Sequence, residues 1–210
     1  MSQESYIVLP PDSTGKATRT ILKTIGTTDV HSEVTVPSSC RKLIGAYQYA
    51  SPVIAGSTTA GYVYHAFFYP STATRFVAIR RITIFWVAVA AAVYIEAAVW
   101  RISSASGGTL RAVTTVAKKD TNYPDPTIEI RDTGVTVTVT QKLFNFITPG
   151  AAGQTIGIVK WESIREDGRD DIILRPGEGI CLRQEAVGDA DFRVNWIIEW
   201  EEFEGVPVTI

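Results

Sequence analysis

The chain has 210 residues, of which 45% are apolar and 20% are charged, and its formal net charge at pH 7 is −2. An apolar fraction of this size supports a packed core and excludes a globally disordered chain. The nearly balanced charge excludes a protein built mainly to bind nucleic acid, because such proteins present a strongly basic surface. The two cysteines, Cys40 and Cys181, are too few for a disulfide framework and lack the spacing of zinc ligands.

Residues 1–40 differ in composition from the rest of the chain. Their strand-like runs, residues 18–25 and 30–36, are rich in Thr, Val and Ile, and no aromatic residue occurs between residues 7 and 46. Such a segment cannot bury enough surface to fold alone, so it is either a disordered tail or an arm that adds to the sheet of another chain. The period-two alternation favours an arm. The segment also lacks the basic and apolar regions of a secretory signal.

From residue 41 onward, short runs rich in β-branched and aromatic residues alternate with turn signals, which predicts strands rather than helices. About ten such strands without an amphipathic helix are typical of a sandwich or barrel. We therefore predict an all-β protein: a jelly-roll-like antiparallel β-sandwich over residues 41–210, preceded by an extended N-terminal arm of residues 1–40. The predicted strands are residues 41–50, 61–69, 75–89, 93–103, 110–117, 127–130, 135–140, 156–161, 172–174, 180–184 and 191–203.

Segments rich in Gly or Pro are predicted to be loops, at residues 104–108, 118–127 and 141–153. The pair Pro176 and Gly177 predicts a tight turn, because proline presets φ and glycine accepts positive φ. We expect this turn to close a hairpin. Residues 82–95 form an apolar run that ends at Glu96, but a spanning helix needs about 20 apolar residues, so no membrane partner is expected.

The last predicted strand, residues 191–203, has the sequence DFRVNWIIEWEEF. Trp196 and Trp200 fall on one face of this strand at period two, together with other apolar residues, which predicts that both are core residues. Glu199, Glu201 and Glu202 could be imagined as a glycosidase pair, but no second element supplies a matched acid. We interpret them as a solvated strand edge that discourages pairing between sheets.

Two predicted strands, residues 61–69 and 82–89, lack a polar face. A sandwich strand in a monomer normally alternates between core and solvent, and large exposed apolar patches are uncommon on monomers. The pattern therefore predicts that these strands are buried on both faces, under decorations or at a contact between copies of the chain, and we expect a homo-oligomer. The candidate interface residues are Tyr62, Tyr64, Phe68, Phe85 and Val87.

Groups that could perform catalysis are scarce. The two histidines, His31 and His65, are predicted to be packed or surface side chains rather than members of a triad or a metal site. No nucleophile elbow, phosphate loop or dinucleotide motif occurs. The acidic run at residues 162–171 lacks the spacing of a calcium loop and is interpreted as a solvated turn. We therefore predict no enzyme activity, no cofactor and no metal site.

Four runs occur in this order: RFVAIRRI at residues 75–82, VWRISSASGGT at residues 99–109, LRPGEG at residues 174–179 and IEWEE at residues 198–202. With the leader that contains DSTGK and VHSE, this series resembles structural virion proteins of tailed bacteriophages with jelly-roll-like domains. The resemblance implies a capsid cement or decoration protein that binds the major capsid protein or another virion protein, stabilises the phage head as a homotrimer, and is located in the virion after assembly in the host cytoplasm.

The resemblance also implies that the N-terminal arm attaches the protein to the particle and that no catalytic residues are present. The candidate attachment residues are Lys16, Arg19, Lys23, Val30 and Val34. Two alternatives stay open: a tail or baseplate component, and a carbohydrate-binding β-sandwich that uses aromatic side chains such as Trp161, Trp100 and Tyr123.

Overall fold

A computed structural model of the chain describes residues 19–25, 28–34, 43–88, 95–148, 155–163, 171–186 and 191–204. The chain divides into two compact units, one of residues 1–42 with 208–210 and one of residues 43–207. The predicted boundary between arm and sandwich, at residue 40, lies close to this division. In the described part of the chain, no helix has the length and apolar character of a membrane span.

The described residues of the N-terminal unit form one antiparallel hairpin of two strands, β1 (Arg19–Ile25) and β2 (Thr28–Val34). Its pairing runs from Arg19 with Val34 to Ile25 with Thr28. Lys23 pairs with Val30 in the same register, so four of the candidate attachment residues form two cross-strand pairs. Lys16, the fifth candidate, lies outside the described residues.

The described part of the larger unit consists of strands and one short 3₁₀ turn, Val113–Thr115, and its strand pairings are antiparallel. The prediction of an all-β protein with antiparallel sheets is therefore confirmed. The strands are β3 (Leu43–Ala50), β4 (Ile54–Ala55), β5 (Val63–Phe68), β6 (Arg75–Ala88), β7 (Ile95–Leu110), β8 (Ala117–Lys118), β9 (Glu129–Thr148), β10 (Thr155–Glu162), β11 (Ile172–Leu174), β12 (Gly179–Gln184) and β13 (Phe192–Glu204).

The first sheet has seven strands in the order β10–β6–β13–β3–β8, with β11 paired to β6 and β4 paired to β13. Strand β13 is central, because it pairs with β6 on one side and with β3 and β4 on the other. Its period-two pattern directs Trp196, Ile198 and Trp200 into the core, where all three are buried. The predicted core positions of Trp196 and Trp200 are confirmed.

The second sheet has four strands that close into a cycle, β12–β5–β9–β7. Strands β7 and β9 form a long ribbon whose register shifts at four places, and such bulges bend a ribbon. The bend brings the start of β9 beside β5, where His65–Phe68 pair with Glu129–Asp132. The predicted loops at 104–108 and 141–153 are therefore wrong for residues 104–108 and 141–148, because pairing within the ribbon overrides the local turn signals. The predicted strand at 110–117 is mostly an irregular connection that contains the 3₁₀ turn.

Glycines permit the sharpest bend of this ribbon. Gly107 and Gly108 have φ values of 66° and 60°, and Thr133 and Gly134, close to them on β9, have φ values of 66° and 65°. A Cβ added to Gly108 would lie 2.8 Å from the carbonyl oxygen of Asp132, so this close approach requires glycine. The break predicted between residues 127–130 and 135–140 marks this bend, although residues 129–130 and 135–140 all belong to β9.

The Pro176–Gly177 turn forms as predicted. The Glu178 N–H donates to the Arg175 carbonyl at 3.0 Å, and Gly177 has a φ of 86°, as a type II turn requires. The strands beside the turn do not pair with each other, because β11 pairs with β6 in the first sheet and β12 pairs with β5 and β7 in the second. The expected hairpin is therefore wrong: the turn carries the chain from one sheet to the other.

The main core lies between the two sheets, and a second apolar cluster lies on the opposite face of β5. The second cluster contains Val63, Ala66, Ile102, Val135 and Cys181, with Phe68 packed against it. Strand β5 is therefore apolar on both faces because both faces are buried within the chain. Tyr64 is fully buried in the main core, so this candidate interface residue does not reach the surface of the chain.

Candidate functional site

Three polar side chains from separate parts of the chain meet in the core. The Oγ atom of Ser51 lies 3.1 Å from Nε2 of His65, and Nδ1 of His65 lies 2.6 Å from Oδ1 of Asp132. All three residues are buried, His65 and Asp132 completely. This order of hydroxyl, imidazole and carboxylate is that of a hydrolase triad, so the surroundings decide its role. We refer to the three residues as the Ser51 network.

Ser51 directly follows β3, at the point where the chain leaves its pairing with β13. Its N–H donates to the Trp196 carbonyl at 2.9 Å, and the Trp196 N–H donates to the Ser51 Oγ at 3.0 Å. The hydroxyl thus takes the place of a backbone carbonyl and satisfies an amide that would otherwise be buried without a partner. The His65 ring, on β5, stacks on the Trp196 indole with centroids 5.3 Å apart. The network therefore connects the first sheet to the second.

Asp132 lies on β9 at the bend of the ribbon and accepts hydrogen bonds at both carboxylate oxygens. Tyr49 Oη at 2.8 Å and Arg111 Nε at 2.6 Å donate to Oδ2, while His65 uses Oδ1. Burial alone would raise the pKa of Asp132, but the hydrogen bonds from His65, Tyr49 and Arg111 outweigh it and lower this pKa. Asp132 is therefore charged at neutral pH. It holds the proton of His65 on Nδ1 and leaves Nε2 free to accept the Ser51 hydroxyl.

Burial lowers the pKa of His65, and the neighbouring Asp132 offsets only part of this effect. The folded protein thus holds a neutral imidazole at pH values where the unfolded chain already binds a proton. The resulting stability is fully present above the unfolded pKa of about 6.5 and is lost as the pH falls through the lower folded pKa. The lowered pKa of Asp132 acts in the same direction at lower pH, because the stability it contributes is lost when the carboxylate is protonated.

The contacts of the Ser51 network favour a structural role over catalysis. The Ser51 Oγ atom already accepts the Trp196 N–H, and it lies within hydrogen-bonding distance of Nε2 of His65 and, at 3.0 Å, of the Pro52 carbonyl. The cavities beside Arg111, Thr72 and Phe85 are not lined by any of the three network residues. A catalytic serine needs access to a substrate carbonyl and donors for the developing oxyanion. We therefore assign the network as a polar link between the sheets. The sequence left a packed or a surface position open for His65, and the structure places it in the core.

Sequence reasoning did not find this network, because its members are far apart in the chain and come together only when the sheets close. One signal was present. His65 is a polar residue in an otherwise apolar strand, VYHAFF, and a buried imidazole requires hydrogen-bond partners. The partners could not be identified without the pairing of β5 with β9.

A cavity of about 390 Å³ opens beside the Ser51 network. Its wall consists of residues 52–57, Tyr62, Arg111 and Thr133, and Arg111 is the only charged side chain among these lining residues. The Arg111 side chain is 30% exposed and its Nε atom is bound to the fully buried Asp132. We refer to this space as the Arg111 cavity. Tyr62, predicted as an interface residue, lies here.

An apolar surface lies on the outer face of the first sheet. Phe85 and Val87 on β6 are half-buried there, and Ile158, which pairs with Phe85, is 62% exposed, while Val53 is 64% exposed. Val53, Phe85 and Val87 border a shallow and mainly apolar cavity of about 250 Å³. We refer to Val53, Phe85, Val87 and Ile158 as the Phe85 patch. Of the candidate interface residues, Phe85 and Val87 are thus partly exposed, and Phe68 packs on the second cluster.

The interpretation of the β13 glutamates as a solvated strand edge is wrong, because β13 is the central strand of the first sheet. Glu202 is fully buried and accepts hydrogen bonds from the Thr127 N–H and hydroxyl, both at 2.9 Å, and from Arg75. Glu199 is buried and forms ion pairs with Arg81 and Lys119. These contacts compensate the cost of burying carboxylates.

The aromatic residues proposed for sugar binding do not meet. The Trp100 indole donates to Glu185 at 2.8 Å on the second sheet, whereas Trp161 on β10 and Tyr123 in the connection after β8 pack against the main core. None of the three lines the Arg111 cavity or the cavity at the Phe85 patch. Within the described ranges, no group of His, Cys, Asp and Glu side chains could hold a metal ion. Residues 164–170 of the acidic run lie outside these ranges.

Comparisons of this chain with protein-family models, with curated proteins and with solved structures find no match.

Proposed function

We propose that this chain is a structural virion protein, a cement or decoration protein of a phage head, attached to the particle through its N-terminal unit. The observation that carries the proposal is the N-terminal unit itself. Its described residues form a single two-stranded hairpin, and a two-stranded hairpin alone is marginally stable at best in water. The hairpin is therefore expected to become more stable when a partner adds strands to it or buries its surface.

The strand order of the larger unit supports a jelly roll. Its eight longer strands are divided between the sheets in the orders β3–β13–β6–β10 and β5–β12–β7–β9. Numbered along the chain, these orders are first–eighth–third–sixth and second–seventh–fourth–fifth, the interleaved arrangement expected of two Greek keys. Capsid proteins are among the proteins that use this architecture, and fold alone does not assign a function.

We place the contact between copies of the chain at the Phe85 patch. The Phe85 patch itself is apolar, and Arg193 and Asn195 border it, because they also line its cavity and pair with Val87 and Phe85. Charges of both signs lie farther along the same sheet, in the ion pairs Lys160–Glu162 and Arg81–Glu199. A surface with both signs around an apolar centre can complement a second copy of itself. This contact makes the protein a homo-oligomer; the trimer that the resemblance implies requires the patch to meet a different surface of the next copy.

Light scattering on the full-length protein tests the contact. We expect a stable oligomer that Ile158→Glu dissociates, because the substitution places a charge in an apolar interface. The matched control Leu110→Glu also changes an exposed apolar residue, 55% exposed, but outside the patch. It should leave the oligomer intact. A wild-type monomer at micromolar concentration, or equal effects of the two variants, would contradict the assignment.

A binding experiment tests the attachment. Phage heads assembled without this protein are incubated with the full-length chain or with a variant that lacks residues 1–40. We expect the full-length chain to bind and the truncated one to remain folded, with an unchanged melting temperature, but not to bind. If both bind equally tightly, the anchor lies on the sandwich instead. Hydrolase activity that is abolished by Ser51→Ala would overturn the non-catalytic part of the proposal.

A further inference from the structure

The Arg111 cavity has the size and lining of a small-molecule site. Its volume of about 390 Å³ lies at the lower end of the roughly 300–1,000 Å³ typical of ligand pockets, which suits one sugar ring rather than a long chain. The lining combines the apolar residues at positions 52–55, one aromatic ring, one cation and the hydroxyl-bearing residues Ser57 and Thr133. A few polar groups in a mainly apolar wall are what orient a ligand.

Arg111 presents the positive end of an ion pair to this cavity. Asp132 lies behind it and is fully buried. The Asp132 carboxylate accepts hydrogen bonds from Arg111, Tyr49 and His65. A guanidinium has five N–H donors, and the hydrogen bond from Arg111 to Asp132 engages one of them, on Nε. The pairing with Asp132 also holds the guanidinium in place before a ligand arrives, which lowers the entropic cost of binding. The site therefore favours a carboxylate.

The strained backbone beside Arg111 points to the same place. Thr133 is the only non-glycine residue with positive φ among the described residues, at 66°, and it lines the cavity. A β-branched residue in this region is an outlier, and such strain is concentrated at binding and active sites. Gly134, the next residue, lies under the Tyr62 ring, since an added Cβ would be 3.6 Å from Cε2 of Tyr62. The bend thus places the Thr133 side chain, the Tyr62 ring and Arg111 around one space.

We propose that the Arg111 cavity binds an acidic monosaccharide, a hexuronic acid, whose carboxylate pairs with Arg111 while its ring packs on Tyr62 and its hydroxyls meet Ser57 and Thr133. The site is independent of the virion assignment and differs from the one expected from Trp161, Trp100 and Tyr123. A monosaccharide in an open cavity makes few contacts, so we expect a millimolar dissociation constant.

Saturation-transfer NMR on the full-length protein tests the proposal with sodium glucuronate, glucose and acetate as probes. We expect glucuronate to bind on the order of tenfold more tightly than glucose, which lacks the carboxylate, and than acetate, which lacks the ring. Arg111→Gln should weaken glucuronate binding by about tenfold or more. Arg101→Gln is the matched control, because Arg101 is similarly exposed, at 27%, and hydrogen-bonded to a backbone carbonyl outside the cavity.

A second variant keeps the test decisive if Arg111→Gln does not fold. Ala55 lines the cavity and is exposed, so Ala55→Trp should fill the cavity and abolish binding while the melting temperature stays close to that of the wild type. Glucose or acetate that binds as well as glucuronate would overturn the proposal. Unchanged glucuronate binding by Ala55→Trp, or by folded Arg111→Gln, would overturn it equally.

Discussion

Replacing Ser51 by alanine isolates the contribution of the Ser51 network to stability. The substitution removes a hydroxyl that lies 3.0 Å from the Trp196 nitrogen and 3.1 Å from Nε2 of His65. It leaves one buried N–H and one buried imidazole nitrogen without these partners. Each buried group left unsatisfied costs about 1–3 kcal/mol, so Ser51→Ala should destabilise the protein by about 2–6 kcal/mol. Typical domains are stable by only about 5–15 kcal/mol.

Equilibrium unfolding in guanidinium chloride, followed by tryptophan fluorescence, measures this loss. Ser104→Ala is the matched control, because the Ser104 hydroxyl donates to the Thr138 hydroxyl at 2.8 Å in an exposed part of the ribbon. Surface substitutions of this kind change stability by less than about 0.5 kcal/mol. The difference between the two serine variants is therefore the effect of burial and network membership.

The result that refutes the reasoning is a Ser51→Ala protein as stable as Ser104→Ala. It would mean that the Trp196 N–H and His65 find other partners, and that the network does not link the sheets. A loss of stability together with a loss of ester hydrolysis would instead show that Ser51 has a catalytic role. The structural assignment requires the first loss without the second.

The remaining predictions concern buried ionisable groups. Lowering the pH from about 7.5 to about 5 should lower the melting temperature, because the pKa of His65 is lowered on folding. In His65→Gln the melting temperature should depend less on pH, and equal pH slopes for the two proteins would refute this prediction. Glu202→Ala should lower the free energy of unfolding in urea by about 3–5 kcal/mol, because it leaves buried partners unpaired. Glu201→Ala, at a more exposed position, should lower it by about 1 kcal/mol or less. Similar losses in the two variants would show that burial does not distinguish the two glutamates. Burial raises the pKa of Cys181 to about 12. In a Cys40→Ser background, the Cys181 thiol should therefore react with a disulfide reagent at pH 8 only after the protein is denatured. Fast labelling of the native protein would contradict the burial of Cys181.

The class of the fold could be predicted from local sequence, because period-two patterns and turn residues act over a few neighbouring positions. Strand β13 was predicted within about one residue at each end, and its tryptophans were assigned to the core. The Pro176–Gly177 turn was predicted for the same reason, since φ preferences belong to single residues. Which strands this turn joins to which sheet was not predictable, because strand partners are chosen by long-range packing.

In the β7–β9 ribbon, pairing between the two strands overrides the local sequence preference for turns. Residues 104–108, SASGG, have the composition of a turn, yet they lie within β7 because β9 offers backbone partners along their length. The glycines instead supply the bend at which Gly107 and Gly108 take positive φ. Residues 141–148 are likewise drawn into β9 by the same partner strand.

The sequence by itself determined the all-β class, most strand positions and the buried face of β13, because these depend on alternation and turn chemistry within short segments. Only the tertiary structure decided that Glu199 and Glu202 lie in a central strand with cationic or hydrogen-bonding partners. It alone brought Ser51, His65 and Asp132 together and placed Arg111 beside a cavity. The physical reason is that burial and hydrogen-bond partners are set by contacts between residues far apart in the chain, which no local pattern contains.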